Sequence, residues 1–229
     1  MAKTALQKCL KLHKLFVAEI ARSAKLESEG SQVLSSLANL SQRIPILLQS
    51  SGNANGQDND VSDVMGVLSD VRDTETLLLQ KHVLALEKSR GFLTDIMHDY
   101  QEVLRHLRSF ASDCVTLVDD ALRESAVSED DQVAAVAFPL QLQEWMETVL
   151  AMFEHEVLRK IRLVADLEYS DYVRLSTVHK QWSSQGAMGN IDSNYVQTGL
   201  QLPRATTSST LRSQRSTPST SSIRGKNEK

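Results

Sequence analysis

The amino-acid sequence predicts an all-α protein, an antiparallel bundle of four to five long helices followed by a disordered C-terminal tail. Apolar residues recur every three or four positions through residues 1–182, the spacing that places side chains on one face of an α-helix. The composition is 41% hydrophobic but only 5% aromatic, with 9 Gly and 4 Pro, so it is poor in the turn residues that an all-β chain needs. Residues 183–229 are rich in Ser and Thr without an apolar period, which is typical of disorder.

The first helical block covers residues 4–48. Its apolar face is formed by Leu6, Leu10, Val17, Ile20, Leu34 and Leu37. Gly30 is a candidate break between two helices, and Pro45 is a candidate kink or end. Residues 49–60 have no apolar side chain larger than alanine, which predicts a flexible loop.

Two further blocks cover residues 61–87 and 92–122, and the second of them has the most regular seam of the chain. Gly91 between them is either a break or a weak point, so one long helix is the alternative. Residues 124–137 predict a second loop, after which Phe138 and Pro139 begin the next block.

Both tryptophans bracket the last helical region. A block over residues 142–167 contains Trp145, and a shorter helix over 172–182 ends at Trp182, with Ser170 a possible N-cap. The charged residues of the longer block, including Arg159 and Lys160, are predicted to lie mostly on the opposite, solvent-facing side.

The charge distribution argues against a broad nucleic-acid-binding surface on the bundle. The net charge is −4, yet residues 204–229 carry six Lys or Arg and one Glu, so the bundle is acidic and only the tail could contact RNA. Neither a secretory signal nor an 18-residue apolar stretch is seen, so a soluble intracellular protein is expected. Cys9 and Cys114 lie on apolar helical faces and are expected to pack as small hydrophobic side chains.

No catalytic, cofactor-binding or metal site is predicted, and we expect no enzymatic activity. Asp95 with His98, and Glu102 with His106, have helical spacing but stand among basic residues typical of a solvated surface. The chain contains no phosphate-binding glycine loop and no nucleophile elbow.

Two short patterns indicate candidate phosphorylation sites. Ser128 precedes acidic residues, and Thr217 precedes Pro218 in the basic tail. Ser128 with Asp131 could equally form a helix capping box. The sparse apolar residues of the tail are either a partner-binding peptide or isolated side chains, namely Ile191, Tyr195, Val196, Leu200 and Leu202.

The chain resembles the AIRIM family of small helical ribosome-maturation adaptors. The similarity lies in residues 5–9 (Ala-Leu-Gln-Lys-Cys), residues 34–40 (Leu-Ser-Ser-Leu-Ala-Asn-Leu), Glu144 with Trp145, and Trp182. The resemblance implies a non-catalytic adaptor of an Afg-type double-ring AAA ATPase, acting in late maturation of the large ribosomal subunit in the cytoplasm. A role in replication-fork maintenance is also attributed to that assembly, which implies cytoplasmic and nuclear pools.

A weaker resemblance is to CINP-like proteins, the small helical subunits of the same assembly. It rests on Met152 with Phe153, and on Glu156, Lys160 and Trp182. Either resemblance implies the ATPase subunits, the other small helical subunit and precursors of the large ribosomal subunit as partners, and no membrane. The alternative in another class is a coiled-coil tethering subunit of a cytoskeletal or vesicle complex.

The predicted partner-binding residues combine the matched motifs with the last apolar stripe. They are Leu34, Leu37, Asn39, Leu40, Trp145, Val149, Phe153, Lys160 and Trp182. Large aromatic side chains dominate both interfaces and cores, so the alternative is that both tryptophans simply pack the core.

Overall fold

The computed structural model describes residues 2–50, 74–125, 132–165, 167–183 and 189–202. Five helices follow one another in these ranges: α1 (Ala2–Ser50), α2 (Thr74–Ser125), α3 (Gln132–Ala165), α4 (Tyr172–Gln181) and α5 (Ser193–Leu200). The described residues contain no strand, and the all-α prediction is confirmed. The predicted disorder of residues 203–229 falls outside these ranges and stays a prediction.

α1 is a single helix of 49 residues. Gly30 does not divide it, because the glycine is buried and its missing side chain leaves room for the Trp182 indole. Pro45 lies inside the helix and does not end it. Of the predicted loop, Gln49 and Ser50 belong to α1, and the remaining positions are outside the described residues.

α2 joins the second and third predicted blocks from Thr74 onward, as one helix of 52 residues. Gly91 does not break it and has no neighbouring side chain or backbone within 4 Å of a Cβ placed there. The loop predicted over 124–137 is corrected at both ends, because α2 continues to Ser125 and α3 already begins at Gln132.

The start of α3 and the N-cap of α4 differ from the prediction, whereas α4 begins at Tyr172 as predicted. α3 begins before Phe138 and contains Pro139. Val136 and Phe138 are buried, and their burial stabilises the helical turn on the N-terminal side of the proline. Asp171, not Ser170, is the N-cap of α4, since its carboxylate accepts a hydrogen bond from the Arg174 backbone N–H at 2.9 Å.

The long helices pack antiparallel. Arg22 near the middle of α1 pairs with Asp99 of α2 at 2.9 Å, whereas the earlier Glu19 pairs with the later His106 at 3.0 Å. Arg108 of α2 meets Glu154 of α3 at 2.7 Å, and α4 lies along α1. One core therefore runs between the helices, and its fully buried members include Phe16, Leu34, Leu93, Leu107, Leu142, Met146, Leu175 and Trp182.

Residues 189–202 correct the prediction that the bundle ends at residue 182. Asp192 caps α5 by accepting hydrogen bonds from two backbone N–H groups of its first turn. Val196 and Gly199 are buried, and α5 lies against α3. The reason is the three-residue and four-residue spacing of its apolar side chains, which gives this short helix one face that the bundle can bury.

Candidate functional site

Most of the predicted partner-binding residues lie in the protein's own core. The buried ones are Leu34, Leu37, Trp145, Val149, Phe153, Lys160 and Trp182. Asn39 is exposed and Leu40 is half-buried, so these two can meet a partner without any rearrangement of the core. Ser128 and Thr217, the candidate phosphorylation sites, lie outside the described residues.

Lys160 is the centre of a buried charge cluster, which corrects the prediction that it faces solvent. Its side chain is 0% exposed, and its Nζ lies 2.8 Å from Glu27 Oε2 and 3.1 Å from Glu156 Oε1. The same Nζ donates to the Trp182 backbone carbonyl at 2.5 Å and stands 4.1 Å from the centroid of the Trp182 ring. Such partners are required, because an unpaired buried charge costs several kcal/mol.

Glu156, beside Lys160, ties the chain that follows α4 to α3. Its side chain is 1% exposed and accepts hydrogen bonds from the Arg159 guanidinium at 2.5 and 3.0 Å. The Asn190 backbone N–H donates to the same carboxylate at 3.1 Å. The Arg159 guanidinium also donates to the backbone carbonyls of Gln181, Trp182 and Ser183. This cluster therefore fixes the chain on both sides of residues 184–188.

The cluster shifts two pKa values. Burial alone would raise the pKa of Glu156, but the hydrogen bond from Arg159 and the charge of Lys160 outweigh it and hold the pKa below its ordinary value. Burial and the nearby Glu27 carboxylate raise the pKa of Tyr100, whose hydroxyl donates to Glu27 Oε2 at 3.2 Å. The cluster is thus built around an ionised Glu156 and a neutral Tyr100.

Trp182 covers the cluster and packs directly on α1. Its indole lies over Gly30, where even a methyl group would overlap the ring. The indole Nε1 donates to the Glu27 backbone carbonyl at 3.0 Å, and Tyr100 packs edge-on against the ring at 6.1 Å between centroids. Glycine is therefore required at position 30 by close approach rather than by backbone conformation.

Trp145 occupies a second aromatic site on the same face of α1. His13 and Phe16 pack against it with ring centroids 5.5 and 5.4 Å away. Gly199 of α5 lies against the indole, and its backbone carbonyl is 2.8 Å from His13 Nε2. Each tryptophan thus packs against one glycine, and the glycine at Trp145 comes from a segment that the sequence placed in the tail.

Sequence reasoning missed α5, although signals for it were present. Asp192 is a preferred N-cap residue, and Ile191, Tyr195 and Val196 have helical spacing. An isolated helix of eight residues is unstable, so only its contacts with the bundle make it form.

We expect a chain ending at residue 183 to be less stable than a chain ending at residue 202, by about 2 kcal/mol. Loss of α5 uncovers Trp145 and removes the Asn190 hydrogen bond to Glu156, while the ordering entropy of the segment is recovered in part. Urea unfolding measures the difference, and Trp145 emission shifts to longer wavelength in the shorter chain. Equal stability of the two chains would contradict a structural role for α5.

Large apolar side chains also remain on the surface. The most exposed are Leu77 and Leu84 on α2, at 64% and 65%, and Val173 on α4, at 70%. Phe92 on α2 and Leu158 on α3 are about half exposed. These side chains, rather than the buried tryptophans, are available to a partner in the folded chain.

The described residues show no constellation that points to chemistry. No group of three or more His, Cys, Asp or Glu among them could hold a metal ion. Glu102 pairs with Arg105 on the surface at 2.5 Å. Cys9 and Cys114 are buried, and burial, with smaller effects of Cys9 and Glu147, raises the pKa of the Cys114 thiol to about 12.

Among the helices that the structure describes, none has the length and apolar character needed to cross a membrane. Comparisons of the chain with protein-family models, curated proteins and solved structures found no match.

Proposed function

We propose that the chain is a non-catalytic helical adaptor of an Afg-type AAA ATPase complex in late, cytoplasmic maturation of the large ribosomal subunit. Its partners are the ATPase subunits, a CINP-like small helical subunit and the pre-ribosomal particle. A nuclear pool serving replication-fork maintenance belongs to the same proposal. The chain itself supplies binding surfaces, and the ATPase supplies the chemistry.

The observation that carries this proposal is the place of the AIRIM-like residues. Leu34 and Leu37 of the motif over residues 34–40 lie in one buried core with Trp145 and Trp182. Residues that hold the fold together are the ones that related helical adaptors would need to share, which supports the resemblance as a likeness of fold. Function does not follow from fold alone, so the partners need a direct test.

The packing favours an adaptor over the alternative of a coiled-coil tether. A tether needs an extended rod, whereas α1, α2 and α3 fold back on one another and α4 and α5 cover their seam. The second alternative, a CINP-like position in the same complex, differs only in which small helical subunit this chain represents.

Affinity purification of the tagged full-length chain from native lysate tests the proposal, with quantitative mass spectrometry of the partners. We expect an Afg-type ATPase, one second small helical subunit and large-subunit ribosomal proteins, with the helical subunit in equal stoichiometry. A CINP-like second subunit assigns this chain the AIRIM-like position, and an AIRIM-like second subunit assigns the CINP-like one. Recovery of cytoskeletal or vesicle proteins, without the ATPase, would overturn the proposal.

A further inference from the structure

One side of the α1 and α2 pair carries two depressions, and the strip of surface that joins them is here called the α1–α2 groove. Its edges repeat every seven residues, which keeps them in line along an antiparallel pair: Lys8, Leu15, Arg22 and Glu29 on α1, and Phe92, Asp99, His106 and Asp113 on α2. Phe16 follows Leu15, and Gly30 follows Glu29. Consecutive helical residues are turned by about 100°, so positions 16 and 30 face Trp145 and Trp182 instead of the groove. The groove therefore lies on a different side of α1 from the face that Trp145 and Trp182 cover.

One end of the α1–α2 groove is apolar and basic. A depression of about 380 Å³ lies there, with Leu15, Phe110 and Leu117 as its apolar lining. Lys8 and Lys11 stand at its edge, and Asp113 is the acidic side chain that lines it. An acidic group of a partner fits this end better than a basic one.

The other end is apolar with balanced charge. A second depression, of about 290 Å³, is lined by Val33, Phe92 and Ile96. Glu29 and Asp99 also line it, but Lys25 pairs with Glu29 at 3.4 Å and Arg22 pairs with Asp99 at 2.9 Å. Asp95 is the remaining carboxylate, and Lys88 adds a positive charge over the Phe92 ring. Each end of the groove thus offers an apolar anchor site, and the Lys8 end is the basic one.

Ion pairs cross the middle of the groove. Glu19 Oε1 accepts from His106 at 3.0 Å, and Arg22 reaches Asp99 at 2.9 Å. Glu19 Oε2 is buried without a hydrogen-bond partner among the described residues, although Arg22 lies 3.7 Å away. The middle is therefore polar, and because Glu19 Oε2 is buried, a partner there meets the ion pairs rather than this oxygen.

We infer that the α1–α2 groove binds one amphipathic helix of another protein, apolar on one face and acidic where it meets Lys8 and Lys11. This rests on the proposed function and names the face of the adaptor that receives a helical partner. From Leu15 to Val33 the groove is about 27 Å long, so it takes a helix of about five turns.

A single helix fits this surface better than a second copy of the chain. A groove between two helices accepts the ridge of one helix. A second copy would instead place its own groove against this one. The ion pair between Arg22 and Asp99 in one copy would then face the same ion pair in the other, so two polar surfaces would meet.

Photo-crosslinking in the full-length chain tests the inference. A benzoyl-phenylalanine replaces Leu15, Phe92 or, as the competing exposed position on α3, Leu158, and the complex is purified from cells. We expect Leu15 and Phe92 to crosslink to the two ends of one helix of one partner, with the acidic end at Leu15. Crosslinks only from Leu158, to a second copy, or to residues 203–229 of the same chain would overturn the inference.

Charge reversal supplies the second measurement, with the crosslinked segment made as a fluorescent peptide. We expect Lys8→Glu with Lys11→Glu to weaken its binding about tenfold or more at low salt, and Lys14→Glu, which does not line the groove, to leave it unchanged. Equal effects of the two changes would overturn the inference. If the ATPase and the helical subunit are recovered without groove crosslinks, this binding surface alone is rejected. If the ATPase and the helical subunit are both missing, the proposed function itself is rejected.

Discussion

Replacing Lys160 by methionine should destabilise the protein by about 3 to 5 kcal/mol at neutral pH. Methionine keeps most of the length of the side chain but removes the ammonium, so the buried Glu156 and the partly exposed Glu27 each lose a partner. Lys180→Met on the exposed side of α4 is the matched control and should change stability little. Urea unfolding at pH 7 measures both variants, and an equal effect of the two would show that the buried cluster contributes no stability.

The pH dependence of the Lys160→Met deficit identifies its electrostatic origin. In the wild type, the lowered pKa of Glu156 contributes stability above the unfolded value of about 4.3, and this is lost as pH falls through the folded value. In the variant, Glu156 has lost the Lys160 ammonium, so protonation of Glu156 at low pH removes the cost of its insufficiently paired negative charge. The difference between the two proteins should therefore be full at pH 7 and shrink as the pH falls below about 4.3 toward the lowered folded value of Glu156, whereas a deficit from lost packing alone would stay constant.

The long helices were predictable because their apolar periodicity is sustained over many turns, but their ends and their continuity through Gly30 and Gly91 were not. The burial of Lys160 was also visible in the spacing. It lies three residues after Val157 and seven after Phe153, both buried, so it belongs on the core face. Its charge alone suggested solvent exposure, and the compensating partners, Glu27 and the Trp182 carbonyl, come from other helices that the sequence cannot place.

The glycines and α5 show the same dependence on distant contacts. Gly30 and Gly91 look alike in the sequence, but Gly30 lies against Trp182 and Gly91 has open space around it. α5 is too short to form alone, and its position depends on Trp145 and His13. The groove between α1 and α2 could not be predicted either, because its edges come from two helices whose register was unknown.

Gly30→Ala should destabilise the wild type by about 1 to 3 kcal/mol and stabilise the Trp182→Ala variant. In the wild type the new methyl overlaps the indole, and this cost exceeds the helix propensity that alanine gains over glycine. Trp182→Ala alone should cost about 3 to 5 kcal/mol, because it leaves a cavity and an uncovered Lys160. Once the indole is gone, the methyl group introduced at position 30 has room and only the propensity gain remains.

Gly91→Ala is the control for this reversal of sign, because a Cβ at Gly91 meets nothing within 4 Å. It should stabilise both backgrounds by about 1 kcal/mol, the propensity difference between glycine and alanine inside a helix. A double-mutant cycle measured by urea unfolding then assigns the coupling of Gly30 with Trp182 to their contact, since Gly91 should show no coupling. If Gly30→Ala stabilised the wild type as Gly91→Ala does, Trp182 would not lie on α1, and the core that joins Leu34, Trp145 and Trp182 would be wrongly placed.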